Sequence, residues 1–322
     1  MDDEQILAAV LLAEGRIRPH IRETPLEPSP YLSSLADADV YLKLESQQIT
    51  GSFKLRGAFN KLLSLSRKEL ARGVVTASSG NHAAAVAHAL KELGGRGILY
   101  LPETVSKAKV DALEPYGCEL RLVGTDSVEG ELAAKRFARE EGLPYVSPYS
   151  DPEIVGGQGT VAVELERQLE SFDAIFVPVG GGGLVSGIAG YLKARSPSVR
   201  ILGCQPERSR VMHDSLKAGR ILDMESLPTL ADGTAGGIDP DTITFEICRR
   251  DVDDMVLVGE DRIAEAMRLA IEKHHVLIEG AAALSIASLL DRRAEYRGQT
   301  VVLVVSGKKV ALDTLRAVLA AN

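Results

Sequence analysis

The chain has no tryptophan, only 4% aromatic residues and three cysteines among 322 residues. So few rings argue against a stacking platform for nucleic-acid bases. Cys118, Cys204 and Cys248 are odd in number and widely spaced. That excludes a disulfide framework, gives no zinc-ligand spacing, and suits a reducing compartment with each thiol as a small buried hydrophobe. Positive charge is also scarce: 37 Lys and Arg against 45 Asp and Glu give a net charge of −8. An extended nucleic-acid surface is not expected. No run approaches the ~20 apolar residues of a membrane span. The amino terminus opens with Asp2, Asp3 and Glu4, whereas a secretory leader opens basic and a mitochondrial presequence avoids acids. The cytoplasm is the expected location, with no nucleic-acid or membrane partner. There is no low-complexity stretch, Pro/Gly linker or internal repeat.

What is present is alternation. Hydrophobic residues make up 45% of the chain, enough for one large domain or two modest ones with a sizeable core. Short β-branched runs at 40–44, 73–77, 97–101, 118–123, 174–180, 200–205, 254–259 and 300–307 read as strands. Helical patterns occupy 81–94, 105–116, 127–142, 152–170, 184–195, 260–275 and 280–294. This order predicts an α/β protein with open, twisted, mostly parallel sheets. Several strands are apolar on both faces, as expected where helices cover both sides. Four βα units between 73 and 148 are expected to form a small domain. Residues 1–72 and 149–322 would close into the larger one, as two compact lobes.

The segment ITGSFKLRGAF, 49–59, poses a chemical question. Thr50 or Ser52 can cap a helix that continues through Leu55, Ala58, Phe59 and Leu62. Lys54 then falls in the first turn, where the helix dipole disfavours a cation. The ordinary reading is a solvated lysine with its stem along the helix. The sharper reading is an amine meant to lose its proton and attack a carbonyl.

Three strand ends carry unusual turns, and in doubly wound sheets ligands bind at such carboxyl ends. In VPVGGGGLVSG, 177–187, a buried strand runs into Gly180, Gly181, Gly182 and Gly183, and a helix follows at Leu184. Unobstructed N–H groups at a helix start suit a phosphate. One or two glycines would satisfy a tight crossover, the structural alternative. The loop is neither a P-loop nor G-x-G-x-x-G, since Val185 and Ser186 stand where the third glycine should be. In TASSGNHAAAVA, 76–87, Ser78, Ser79, Gly80 and Asn81 offer hydroxyls, an amide and free N–H groups to a carboxylate; the alternative is simple helix capping. His82 and His88 do not share metal-ligand spacing and read as structural or supporting residues. Ser306 ends the apolar strand of VVLVVSGKKV, where a capping serine is the ordinary interpretation.

Taken together these segments resemble the fold-type II pyridoxal-phosphate enzymes, the tryptophan-synthase-β-like family, nearest to its threonine/serine dehydratase and serine racemase branch. TPLEPSPYLS, YLKLESQQITGSFKLRGA, ASSGNHAAAVA, GGGGL, LADGTAGG, IEGAAA and VVSG occur in the family's order. The resemblance implies that Lys54 holds pyridoxal 5'-phosphate as a Schiff base and then serves as general base. Phe53 would pack near the cofactor, Asn81 would bond the ring hydroxyl, Gly180 to Gly183 with Leu184 would hold the phosphate, and Ser306 would meet the pyridine nitrogen. A serine there need not keep that nitrogen protonated, which favours prompt elimination over a long-lived carbanion. Ser78, Ser79, Gly80, Asn81 and His82 would bind the substrate carboxylate, and Ser79 matches the serine that serves the opposite face of Cα in the racemases. The implied activity is a dehydratase, or ammonia-lyase, on threonine, serine or a related β-hydroxy amino acid; the alternative is a racemase on the same scaffold. A homodimer or homotetramer is implied as well.

Some positions depart from the pattern. After Ser306 the family continues Gly-Gly-Asn, whereas here Gly307, Lys308 and Lys309 follow; the lysines either alter substrate choice or point to solvent. Where some relatives bind a divalent ion, 204–211 holds only Glu207 as an acid, so no metal is expected. LADGTAGGID, 230–239, is more like the hydroxyectoine-utilisation dehydratases. Roughly one helix follows Ser306, which leaves no room for an appended regulatory domain. Two rival classes are weaker. A phosphate-gripping regulator has no need of Lys54, and a dinucleotide-dependent oxidoreductase lacks its fingerprint at Val185.

Overall fold

A computed structural model describes residues 1–125 and 127–320. Asp126, Ala321 and Asn322, which fall within the expected lobe ranges, lie outside the described residues. Among the described residues, nine strands form two sheets. The larger contains β1 (Leu26–Pro28), β2 (Asp39–Lys43), β6 (Ala174–Pro178), β7 (Arg200–Pro206), β8 (Asp254–Val258) and β9 (Thr300–Val304), in the order β1-β2-β9-β6-β7-β8. All its pairings are parallel except that of β1 with β2. The smaller sheet is parallel, with β3 (Val74–Ala77), β4 (Gly97–Leu101) and β5 (Glu119–Leu122) in sequence order.

The central strands show why the pattern was apolar without alternation. On β6, Ala174 and Phe176 join one hydrophobic cluster while Ile175 and Val177 join another. On β9, Val301 and Leu303 face the first cluster, and Val302 and Val304 the second. Successive side chains point to opposite faces, so each face of this sheet is a core in its own right. Carboxyl ends of three strands lead directly to the three unusual turns: β3 into Ser78, β6 into the glycines and β9 into Ser306.

Several expectations are corrected. The fourth unit of the small sheet contributes only one bridge, between Val75 and Tyr145. The helix expected over 105–116 is broken into Lys107–Asp111 and a 3-10 turn at Glu114–Tyr116, since Pro115 lacks the donor a continuing helix needs. β1 was not foreseen; it is three residues long and carries its proline on the sheet edge, where a missing N–H costs no ladder bond.

The helix that begins at Lys54 (Lys54–Ser64) is fixed from behind. It crosses the Pro152–Gln168 helix so closely that a β-carbon on Gly157 would lie 2.6 Å from Cα of Gly57. Beside that crossing, Arg56, Glu45, Glu164 and Lys43 are fully buried. Arg56 bonds Glu45 through Nε and Nη2 at 2.7 Å each, and Glu164 through Nη1 and Nη2 at 2.8 Å each. Lys43 Nζ meets Glu164 at 2.6 Å. Two cations and two anions cancel, and the forked guanidinium satisfies both carboxylates. Burial alone would raise the Glu164 carboxyl; the charges and bonds of Arg56 and Lys43 outweigh it and hold the group far below its ordinary value.

Removing one member leaves an uncompensated buried charge. Arg56→Ala is therefore expected to lower the unfolding free energy by about 3–5 kcal/mol, read by urea denaturation. Because Glu164 is depressed in the folded state, its contribution is complete above pH 4.5 and is lost as pH falls toward its folded value. The wild-type protein should lose this increment in acid, while the variant should show a flatter acid limb.

Candidate active site

Four helices begin around one space: those starting at Lys54, Asn81, Gly183 and Gly280. None has a side-chain cap, so their first N–H groups lack intrahelical acceptors. Elsewhere Asp2, Ser29, Ser66 and Asp151 cap their helices. Uncapped starts also occur away from this space, and the Thr244–Asp251 helix begins without a cap behind the glycine loop, so it is the convergence of starts here, with the groups between them, that gives the site its character.

Lys54 is half-buried, the first residue of its helix, with Phe53 at the cap position. Its Nζ donates to the carbonyl of Pro148 at 2.7 Å and lies 5.1 Å from the centre of the Phe53 ring. Burial pushes the ammonium down to about 8, and the negative charge of Glu279 opposes that fall. Neither Thr50 nor Ser52 caps the helix, contrary to expectation. Ser52 is instead bridged antiparallel to Gly307, and both hydroxyls are buried without a partner among the described residues. The bridge is the reason: it extends the chain at Ser52, and the N–H of Phe53 donates to the carbonyl of Ser306 at 3.1 Å. Ser306, 2% exposed, is thereby held beside Phe53.

The glycine loop approaches from the other side. Tyr149, next to the Pro148 that receives Lys54, lays its ring against Gly181: a β-carbon there would be 2.5 Å from the ring. At Gly180 a β-carbon would meet the backbone of Thr234 at 3.1 Å, and at Gly183 the backbone of Tyr149 at 2.9 Å. Gly182 has φ +87°, a left-handed conformation. Packing therefore demands all four glycines, more than the one or two a crossover was expected to need. Among the described residues the loop's N–H groups also remain free for an anion, since the one side-chain bond to the loop there runs from Thr244 Oγ1 to the carbonyl of Gly181, at 2.6 Å. Leu184 is buried behind the loop.

The serine turn supplies the third wall. Ser78 Oγ accepts the N–H of Gly80 at 3.2 Å, so it closes the turn. Ser79 is half-buried, and its hydroxyl bonds nothing among the described residues. Gly80 takes the cap position, and Asn81 and His82 open the helix with unpaired N–H groups. The His82 ring is turned away: Nε2 lies 3.0 Å from Thr76 Oγ1 and 3.2 Å from the carbonyl of Val146. Burial lowers that imidazole to about 3, with the charge of Lys54 adding to the fall. His82 thus offers the site its backbone and not its side chain. Asn81 directs Nδ2 to Glu279, while its Oδ1 is buried and unpartnered.

Glu279 was missed as a site residue. The IEGAAA segment showed its place, but not that a glutamate at a helix cap could fail to cap. That failure was the available signal. Tyr149, Thr234 and the Pro148 carbonyl were also missed; Thr234 lies within the LADGTAGG segment, which gave it no role, and nothing in the local sequence marks the other two. Lys308 and Lys309 are exposed. The stem of Lys308 lies over Gly51, and Lys309 bonds Glu279 through its backbone N–H while its ammonium acts on that carboxylate by charge alone. In 204–211, Gln205 Oε1 is occupied by the N–H of His213. No cluster of three potential metal ligands occurs among the described residues, and no described helix is long and apolar enough to cross a membrane.

An amine of lowered proton affinity, an uncapped helix start for a phosphate, an orphaned amide oxygen and a small hydroxyl at a strand end fit pyridoxal phosphate. Comparison with known proteins agrees. The family described as "Pyridoxal-phosphate dependent enzyme" matches residues 17–307. The "L-threonine dehydratase catabolic TdcB" of Staphylococcus aureus is 39% identical over 95% of this chain and 90% of its own. The processed threonine deaminase isoform 2 of Solanum lycopersicum superposes with a TM-score of 0.94 at 33% identity, covering 99% of this chain and 88% of that one. Maize serine racemase gives 0.91 at 33% identity, over 97% and 96%.

Gly181→Ala should drive a methyl group into the Tyr149 ring. The expected cost is about 1–3 kcal/mol of stability, read as a lowered thermal midpoint, together with weaker retention of pyridoxal phosphate on dialysis.

Proposed function

This chain belongs to the pyridoxal-phosphate-dependent enzymes, and on that premise we propose that it is an ammonia-lyase acting on L-threonine, L-serine or a related β-hydroxy amino acid. The products are a 2-keto acid and ammonia, since the water lost in the elimination is taken up again when the resulting imine hydrolyses. The observation that carries this reading is the Lys54 amine, held at an uncapped helix start beside a second uncapped start made of glycines.

Bound there, pyridoxal phosphate supplies an electron sink that acidifies the substrate Cα–H. The chain does the rest. Gly180 to Gly183 and Leu184 hold the phosphate through backbone N–H groups and the positive end of their helix. Asn81 would bond the ring hydroxyl, Ser306 would meet the ring nitrogen and Phe53 would pack beside them. Lys54 Nζ anchors the cofactor, and once released takes the proton from Cα; a lowered pKa makes the neutral amine available near neutrality. Ser78, Ser79, Gly80 and the N–H groups of Asn81 and His82 fix the substrate carboxylate. The β-hydroxyl leaves with a proton.

A racemase is the second reading, favoured by one observation: the Ser79 hydroxyl is half-buried and unpartnered among the described residues, where it can serve the other face of Cα. Incubation with L-serine separates the two, since pyruvate and ammonia mark the lyase and D-serine the racemase. The same proposal includes a cytoplasmic homo-oligomer and a division into a large lobe, 1–72 with 149–322, and a small lobe, 73–148.

Incubation with L-threonine is expected to release a 2-keto acid and ammonia in equal amounts. Lys54→Ala should lower kcat by about 10²–10⁴-fold and abolish covalent capture of the cofactor by borohydride, read by peptide mass spectrometry. With Lys54 as base, kcat should rise with pH through a limb near 8. A labelled residue other than Lys54, or a Lys54→Ala variant with full activity, overturns the assignment.

A further inference from the structure

Glu279 has no part in the roles assigned above, yet it sits where three of the four helix starts meet. It is 4% exposed. Asn81 Nδ2 lies 3.0 Å from its Oε1 and 2.9 Å from its Oε2. One nitrogen nearly equidistant from two oxygens is a shared, three-centre bond, which leaves the second N–H of the amide for another acceptor. Oε2 also receives the N–H of Lys309 at 3.0 Å, and the N–H of Glu279 itself donates to the carbonyl of Gly307 at 3.1 Å. Space is reserved for the carboxylate: a β-carbon on Gly307 would lie 2.5 Å from Oε1. Although Glu279 occupies the cap position of the Gly280–Arg292 helix, and its carbonyl accepts the N–H groups of Ala282 and Ala283 at 3.0 and 3.1 Å, its carboxylate accepts no bond from that helix.

The carboxylate has two physical consequences. An ionised carboxylate only accepts, so a reversed Asn81 amide would set oxygen against oxygen and lose the bond. The charged groups that bear on Glu279 are Asp232, Lys309 and Lys54; its own charge is the one that favours a protonated Lys54.

We propose that Glu279 is a positioning residue of this site: its carboxylate fixes which face of the Asn81 amide meets the cofactor ring, and its charge balances the Lys54 nitrogen. The inference rests on the cofactor reading above. Burial lifts the carboxyl to about 7, opposed by the Asn81 bond and aided by Asp232. Protonation as pH falls through that value turns one carboxyl oxygen into a donor, so a reversed Asn81 amide becomes acceptable and its orientation is no longer specified.

The decisive variant is Glu279→Gln, which keeps the shape but can donate as well as accept, and so no longer specifies the orientation of Asn81. The holoenzyme's absorbance spectrum is followed against pH, and its dissociation constant for pyridoxal phosphate is measured by fluorescence titration. Loss of the anion disfavours a protonated nitrogen at Lys54, so the spectral midpoint is expected to fall by about one unit. Cofactor affinity is expected to fall about tenfold, the worth of one good buried hydrogen bond. Glu279→Asp keeps the charge and should retain the wild-type midpoint. Combining Glu279→Gln with Asn81→Ala should cost no more affinity than Asn81→Ala alone, because one acts through the other. If Glu279→Gln does not fold, Gly307→Ala displaces the carboxylate while keeping its charge, and should weaken the cofactor without moving the midpoint. Spectra and affinities within twofold of wild type, or additive losses in the double variant, overturn the proposal. Wild-type protein that captures no cofactor at Lys54 overturns instead the reading on which it rests.

Discussion

A primary amine is held at the positive end of a helix, half out of water, with a carbonyl as its nearest partner. The helix dipole and burial both disfavour its charge, and the only named anion that supports it is Glu279. A lysine in that setting is poised between charged and neutral states near physiological pH. Everything around it serves to keep it there. The Arg56 cluster and the Gly57 crossing fix the helix axis, Ser306 receives the N–H of Phe53, and Pro148 fixes the amine's direction. None of these contacts would be needed for a lysine whose function was solubility.

The site joins this amine to a set of unsatisfied backbone donors. A helix start without a cap is a small standing cost, normally met by Ser, Thr, Asp or Asn. Here four such starts share one space, and at two of them glycine stands at the cap. Convergence of free N–H groups makes a field that favours anions, and the groups expected to arrive are a phosphate and a carboxylate. The similarity to a threonine dehydratase, a processed threonine deaminase and a serine racemase follows the same logic, since both chemistries begin with the same proton on Cα.

Much of this was legible in the residues. Runs apolar on both faces announced parallel strands buried between helices, and Lys54, the glycines and the serine turn each stood at a strand end or helix start. What could not be read was long-range. Ser52 looked like a cap because local chemistry makes it one; its pairing with Gly307 overrode that preference. Tyr149 and Thr234 owe their places to backbone approach from distant segments. Glu45 and Glu164 looked like any other acids, and only folding puts both on Arg56. Pro115, by contrast, was a readable break that the helical pattern on either side concealed.

The bridge between Ser52 and Gly307, like the pairing of Asp39 with Thr300, joins segments from opposite ends of the chain. Contacts of such long sequence separation form late and slowly. During synthesis, this bridge cannot form until Gly307 has emerged from the ribosome. Until then Lys54 lacks the surroundings that loosen its proton, and a chain stopped short of Gly307 never gains them.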